Sequence, residues 1–241
     1  MRGVLVRVGI DATDGRWHAP ASIKTKDFAF ITIMEKEESR KKKLDRIYER
    51  EFSEALKIFG KEIPSHLIGE RTHLDPDFSK LTYGDRGQRA KCIQNKNQAL
   101  VSGDIITFYA SMKPIDGPKR PLIYGIIGLY VIDKIVMAKD ISPKKWDDNA
   151  HSRCKPTPQD IVVYARKGVS GRLIKYIPIG EIRNKSYRVR KELLKEWGDL
   201  YIKDGYIQRS VYLPEFVNAD RFYKWFKKQK ATLIANNNPV L

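Results

Sequence analysis

The chain has 241 residues, enough to enclose a hydrophobic core, and its 41% apolar and 31% charged residues exclude a disordered polymer. Forty-six Lys and Arg against 29 Asp and Glu give a net charge of +17, which indicates a polyanionic partner, most simply nucleic acid, or alternatively a lysine-rich solvated surface. Two cysteines exclude a disulfide framework, and the longest apolar run (121–132) is too short for a membrane span, so we predict a cytoplasmic protein with no membrane partner.

The chain begins with a β-rich segment. Residues 2–10 are rich in Val, Leu and Ile and predict the first strand, and the following turn carries Asp11 and Asp14. A second strand is predicted over 28–33.

A charged amphipathic helix is predicted next, over 37–59. Its apolar residues recur at steps of three and four, and Gly60 suits the C-cap. The basic run at 40–43 either contacts phosphate or forms a solvated face.

The segment THLDPDF (72–78) is the densest polar cluster in the sequence. His73 and Asp75 are candidates for catalysis or for a metal site, which would need further ligands from elsewhere. The candidates for those ligands are Asp11, Asp14, Asp104 and His151. The alternative is structural, since Asp75 and Asp77 flank Pro76 and can both cap backbone amides in a turn.

The middle of the chain predicts a short helix at 86–97, a turn at Gly103-Asp104 and a strand at 105–112. A long strand returns over 121–138, where Gly125 and Gly128 indicate a bulge or a close approach. In a small barrel, such a strand pair either forms a pocket that stacks a base or forms an ordinary core.

The last third predicts strands, a basic stretch and a helix. The predicted elements are a loop at 139–159, strands at 160–167 and 172–179, a partly helical basic stretch at 181–197 and a strand at 206–213. A C-terminal helix starts near Asn218, and the tail from 236 is expected to be frayed. The glycine-rich turn at 168–172 favours a hairpin over a phosphate nest. We therefore predict an α+β fold with a curved or barrel-like mixed β-sheet core and peripheral helices, in a single domain over 1–241.

An ordered set of segments carries a family resemblance. The segments are VRVGIDATDG, THLDPDF, GQRAKCIQNKNQALVSGDIITFYASM, LIYGIIGLYVIDKI, DNAHSR, ARKGVSGRLIKYIP and RSVYLPEF. Together they resemble the family called nucleotide modification associated domain three, over about residues 2–228. The resemblance implies an association with base-modification systems, and hence nucleic acid and modification-system proteins as partners. A portion around 100–180 is also similar to the PUA, ASCH and EVE barrels, which bind RNA or modified bases.

The resemblance also implies a set of functional positions. They are Asp11, His73, Asp75, Gln88, Asn97, Gln98, Asp104, Asn149, His151 and Arg172. The sequence departs from the family pattern in the helix before Asn97, where Arg89, Lys91 and Gln94 stand in place of small residues and a histidine.

Two functions follow as expectations. The first is a nucleic-acid-binding protein that recognises a modified or extruded base. The residues assigned to its pocket are Gln88, Asn97, Gln98, Asp104, Tyr109, His151 and Arg172. The second is an enzyme acting on nucleotides or nucleic acid, with Asp11, His73 and Asp75 as acid, base or metal ligands. The identity of any metal or cofactor is left open by the residues.

Overall fold

The computed structural model describes residues 1–13, 16–94, 99–118, 121–208 and 213–239. Within these residues the chain forms a large mixed sheet with short helices around it, which confirms the α+β class. The strands are β1 (Gly3–Arg7), β2 (Pro20–Ala21), β3 (Thr82–Asp85), β4 (Ile105–Pro114), β5 (Ile123–Met137), β6 (Ile161–Ala165), β7 (Gly171–Pro178), β8 (Gly180–Arg183), β9 (Ser186–Val189) and β10 (Leu233–Ile234). The α-helices are α1 (Tyr48–Lys57), α2 (Gly87–Ile93), α3 (Ala150–Arg153), α4 (Lys191–Trp197) and α5 (Ala219–Lys228).

The sheet is built around β4 and β5. Its strand order is β1-β4-β5-β6-β3, with β7 also on β5, β10 on β7 and β2 on β4. The pairs β1–β4 and β2–β4 are parallel, whereas the other pairs are antiparallel. No pairing among the described strands closes the sheet into a barrel, so the structure does not confirm the barrel-like part of the prediction.

The two glycines of β5 mark both a bulge and close approaches, as the sequence predicts. The register against β4 shifts between Phe108 and Tyr109. A Cβ on Gly128 would lie 2.5 Å from the Phe78 ring, and one on Gly125 would lie 2.7 Å from Tyr176. The rings of Phe78 and Tyr176 can therefore lie this close to the backbone of β5 only because residues 128 and 125 are glycines.

Buried side chains form a core on each side of the sheet. On one side Phe78, Phe108 and Tyr130 contact one another edge to face, with ring centroids 4.8–5.6 Å apart. On the other side α4 and α5 cover the sheet with Trp197 and Phe222, whose centroids are 5.0 Å apart.

Several predicted elements differ from the structure because contacts between distant parts of the chain override the local sequence pattern. The predicted strand at 28–33 is not a strand but a segment with one isolated bridge, between Phe28 and Ala21. The predicted helix at 37–59 begins only at Tyr48, because the residues before it make backbone bonds to distant segments, such as Arg40 N to Arg153 O at 2.8 Å. These bonds override the local helical pattern. Half of the strand predicted at 206–213, residues 209–212, lies outside the described residues.

The C-terminal region gives one confirmation and one correction. Asn218 caps α5 by accepting from Arg221 N at 2.9 Å, as predicted. For the described residues 236–239 the prediction of a frayed tail is wrong, because Asn237 and Asn238 are bonded to the body of the protein. The Oδ1 of Asn238 accepts from Phe30 N at 2.8 Å, and its Nδ2 donates to Phe30 O at 2.7 Å.

Candidate functional site

A cavity with a volume of about 520 Å³ lies at the end of β1. Its lining comes from five regions of the chain: Arg7–Thr13, Ile33–Glu37, His73 with Asp75, Tyr83–Arg89 and His151. A cavity of this size is within the range that holds a small-molecule or nucleobase-sized ligand. The predicted residues Asp11, His73, Asp75 and His151 all line it.

His73 is held in the cavity wall by backbone and side-chain bonds. Its N–H donates to Ile33 O at 2.8 Å, which places it beside Glu35. Its Nδ1 lies 2.6 Å from Glu35 Oε2. Burial acts to raise the pKa of Glu35, but the hydrogen bond and charge of His73 outweigh it and lower that pKa to about 2. Glu35 therefore orients the imidazole as an ionised carboxylate.

Asp75 is anchored through one of its two carboxylate oxygens. Its Oδ1 accepts from Gly84 N at 2.7 Å and from Asn149 Nδ2 at 2.6 Å. Burial raises the pKa of Asp75, against the opposing charges of His151 and His73. Because the hydrogen bonds of Asp75 among the described residues fall on Oδ1, Oδ2 is left for a ligand.

His151 lies on the four-residue helix α3, whose start is fixed by its own sequence. The Oδ1 of Asn149 accepts from His151 N at 2.9 Å, and Ser152 completes a capping box by accepting from Asn149 N. The ring packs over the backbone of Gly84, where a Cβ would lie within 2.5 Å of both Asn149 Oδ1 and His151 Cδ2. Only glycine at 84 allows this approach.

His73, Asp75 and His151 form one cluster of ligand-type side chains. One donor atom from each lies within 4.8 Å of the others. The two imidazole rings contact edge to face, with centroids 5.0 Å apart. Imidazole nitrogen and carboxylate oxygen are donors that transition metals accept, and they also serve as proton donors and acceptors.

Asp77 does not line the cavity and matches the structural alternative. Its Oδ1 accepts from Ser79 N at 3.0 Å and from Lys80 N at 3.2 Å, which caps the turn after Pro76. The same oxygen accepts from Asn237 Nδ2 at 3.0 Å. Within THLDPDF, His73 and Asp75 therefore line the cavity, whereas Asp77 stabilises the fold by capping the turn.

The rest of the cavity wall carries oppositely charged pairs. Arg7 lies 2.7 Å from Asp11, and Arg89 lies 3.0 Å from Asp85 and donates to Tyr83 Oη at 2.8 Å. A further pair joins Arg86 to Glu37. The lining holds the five carboxylates of Asp11, Glu35, Glu37, Asp75 and Asp85 and the four cations of Arg7, Lys36, Arg86 and Arg89. The cavity is thus not basic, although the chain carries +17.

Other predicted site residues lie outside the cavity. Gln88 is exposed on α2, and Asp104 caps a turn by accepting from Arg2 N at 2.7 Å and Val101 N at 2.9 Å. Tyr109 is fully buried and donates to Ile207 O at 2.8 Å. Asn97, Gln98 and Asp14 fall outside the described residues.

Arg172 is also remote from the cavity. It is 2% exposed and donates to Phe28 O at 2.6 Å and Leu173 O at 2.9 Å. Its guanidinium carbon lies 3.8 Å from the Phe28 ring centroid. Burial lowers the pKa of Arg172 to about 9, with Asp27 opposing it. These bonds give it a role in joining β7 to the segment before α1.

The sequence did not predict Glu35, Tyr83 or Arg86 as cavity residues. Arg89 was noted only as a departure from the family pattern. The available signal was the polar stretch GDRGQR (84–89) at the end of β3, since site residues commonly lie on the loops that follow such elements. Glu35 sits in a run of alternating charges that looks like a solvated face, so it had no comparable signal.

The fold and the cavity define an α+β protein with a polar, ligand-sized cavity that gathers two histidines and an aspartate. The model of the family "Nucleotide modification associated domain 3" matches residues 2–203, and the chain belongs to this family. This confirms the resemblance, and the family's name associates it with the modification of nucleotides. No curated protein and no solved structure matches the chain significantly. None of the helices in the described ranges has the length and apolar character to span a bilayer.

Proposed function

We propose that the protein is a nucleic-acid-binding enzyme that takes one nucleobase into the cavity and acts on it with His73, Asp75 and His151. The observation that carries the proposal is the convergence of these three side chains, from segments about 75 residues apart, on a cavity of about 520 Å³. Titratable groups gathered in a cleft with charged partners are typical of catalytic sites. The proposal also treats residues 1–241 as one domain, since Asn237 bonds directly to the loop behind Asp75.

The charge of the cavity favours a base over a phosphate as its occupant. Its carboxylates outnumber its Lys and Arg side chains, and its three arginines are paired with carboxylates at Asp11, Asp85 and Glu37. A phosphate would meet these carboxylates at close range. A nucleobase is neutral and presents donors and acceptors, which the Asp, Glu and Arg side chains of the wall can match.

A basic surface beside the cavity suits the phosphates that flank such a base. The basic run 40–43 is held near the cavity by a hydrogen bond from Arg40 N to Arg153 O at 2.8 Å. Arg153 follows the cavity residue His151 by two positions. Lys41, Lys42 and Lys43 are exposed, and the Arg40 guanidinium lies 4.3 Å from the Trp146 ring centroid. Contacts of this kind supply affinity without sequence preference and weaken with salt.

Binding is tested by fluorescence anisotropy with labelled single-stranded and duplex DNA and RNA over a salt series. Wild type is expected to bind with a steep salt dependence. Replacing Lys41, Lys42 and Lys43 with Ala should flatten the slope of log K against log salt by about 2–3. The matched control removes Lys224, Lys227 and Lys228 from α5, which are exposed and do not line the cavity. Absence of binding to every nucleic acid at low salt would refute the proposal.

Action on the base is tested by digesting treated nucleic acid to nucleosides and analysing them by mass spectrometry. Wild type should change the mass or amount of one nucleoside, and Asp75→Asn should abolish the change. Binding without any conversion would instead favour the other expected function, a module that only recognises a modified or extruded base.

A further inference from the structure

The three clustered side chains of the cavity are of types that bind metals as well as transfer protons. We propose that His73, Asp75 and His151 together bind one divalent transition-metal ion of the zinc, iron or manganese kind. The inference deepens the proposed function and rests on it for the use of the metal, but the binding itself is a separate property of the cluster.

The donor set favours this class of metal. Two imidazoles and one carboxylate suit zinc and divalent iron, whereas magnesium and calcium prefer sets made of oxygen alone. The donor atoms lie within 4.8 Å of one another. Ligands around one ion at about 2.1 Å are roughly 3–3.5 Å apart, so side-chain movements of about 1 Å complete the coordination. Three protein ligands leave positions open for water or a substrate.

Each histidine is backed by a buried carboxylate, as metal-binding histidines commonly are. His73 Nδ1 lies 2.6 Å from Glu35 Oε2, whose side chain is 8% exposed. His151 Nδ1 lies 3.6 Å from Asp160 Oδ2, whose side chain is fully buried. With Nδ1 of each ring turned to a carboxylate, Nε2 is the nitrogen left for the metal.

His151 lies close to its carboxylate partner but is not hydrogen-bonded to it. Its side chain is 5% exposed, and its Nδ1 is a buried atom without a hydrogen bond among the described residues. Buried polar atoms are normally satisfied. A small shift of the ring on binding a metal through Nε2 would shorten the contact of Nδ1 with Asp160 into a hydrogen bond.

The charge of the cavity also calls for a cation. Five carboxylates line it against four Lys and Arg side chains, so a divalent ion beside Asp75 Oδ2 would meet a lining in which acidic groups outnumber basic ones.

The test is a titration of chelator-treated full-length protein at pH 7.5 with Co²⁺, followed by its visible absorbance, and with Zn²⁺, followed by calorimetry. One equivalent per chain is expected, with Mg²⁺ binding at least tenfold more weakly. Asp75→Asn is the decisive variant, because asparagine keeps an acceptor for Gly84 N and Asn149 Nδ2 while losing the ligand oxygen. Its affinity should fall at least tenfold with an unchanged melting temperature of the metal-free protein, as should the affinity of His151→Gln.

The control is His66→Gln, which removes an exposed histidine outside the cavity and should bind as wild type does. Failure of wild type to bind either metal, or equal binding by wild type and Asp75→Asn, would overturn the inference. No nucleotide is present in the titration. Metal binding without nucleic-acid binding would therefore refute the proposed function alone, and the converse would refute the metal site alone.

Discussion

Asn149 joins the two halves of the site through a single side chain: its Nδ2 lies 2.6 Å from Asp75 Oδ1, while its Oδ1 accepts from the backbone N of His151 at 2.9 Å. The amide therefore fixes the carboxylate and the start of α3 at the same time. Asn149 is fully buried, so water cannot replace either bond.

The first prediction concerns Asn149→Asp. The substitution keeps the acceptor for His151 N but turns an acceptor toward Asp75 and places two buried carboxylates together. We expect a loss of about 2–4 kcal/mol in the free energy of unfolding at pH 7. The loss should shrink in acid, where a protonated carboxyl can donate. Urea denaturation at pH 7 and pH 4 measures it, with the exposed Asn184→Asp as the control. A deficit that does not shrink in acid would contradict this account.

The second prediction concerns Gly84→Ala, which inserts a methyl group under His151. We expect a destabilisation of about 1–3 kcal/mol and a displaced His151 ring. Co²⁺ titration and thermal melting measure the two effects together. The comparison is Gly168→Ala, where no atom lies within 4 Å of an added Cβ. Its positive φ costs about 1 kcal/mol, but it should leave metal binding intact. Normal metal affinity in Gly84→Ala would show that the ring is not held by this contact.

The third prediction concerns pH and Glu35. The folded-state pKa of about 2 lies below the ordinary value of 4.5, so the ionised Glu35 stabilises the fold at higher pH. That contribution is complete above pH 4.5 and is lost as the pH falls toward 2. Glu35→Gln removes the titrating group. The stability difference between wild type and Glu35→Gln, from urea denaturation at several pH values, should therefore narrow below pH 4.5. A difference that stays constant with pH would argue against the His73–Glu35 pair.

The fourth prediction concerns Asn237, which accepts from Phe78 N at 2.7 Å and donates to Asp77 Oδ1. Asn237→Ala leaves a buried backbone amide without its partner, which costs about 1–3 kcal/mol. Hydrogen exchange should show faster exchange at Phe78, and chemical denaturation gives the energy. Asn236→Ala, which loses only an exposed bond to Asn238 N, should change stability by about 0.5 kcal/mol or less. Equal effects of the two substitutions would mean that the Asn237 bonds do not form in solution.

The sequence predicted elements that depend on local pattern. The strands β4, β5 and β6 and the cap at Asn218 follow from alternation and capping chemistry within a few residues. The predictions from sequence failed where hydrogen bonds to distant residues override the local preference for helix or coil. The residues before Tyr48 have helix-forming composition, yet they bond to residues near 71 and 153. The Asn237–Asn238 tail has the composition of a loose end and is held by partners about 160–210 positions away.

The candidate site shows the same division. His73, Asp75, Asp11 and His151 were predicted as site residues from their chemistry, and the structure places all four at the cavity. Residue types could not separate them from Asp104 and Arg172, which have equally suggestive side chains. What distinguishes the latter two is that they bond backbone groups away from the cavity: Asp104 accepts from two amides, and Arg172 donates to two carbonyls. Glu35 and Asp160 are recognisable as site residues only from the folded structure, which places each of them beside a histidine of the cluster.

The bonds of Asn237 have a consequence for the order in which the chain is made. Asn237 follows Phe78 by 159 residues. At ribosomal rates of about 5–20 residues per second, it is synthesised roughly 10–30 s after the loop that it holds. Throughout that interval the nascent loop at Asp77 and Phe78 lacks these two bonds. The loop beside Asp75 is therefore held in place only after residue 237 has been made.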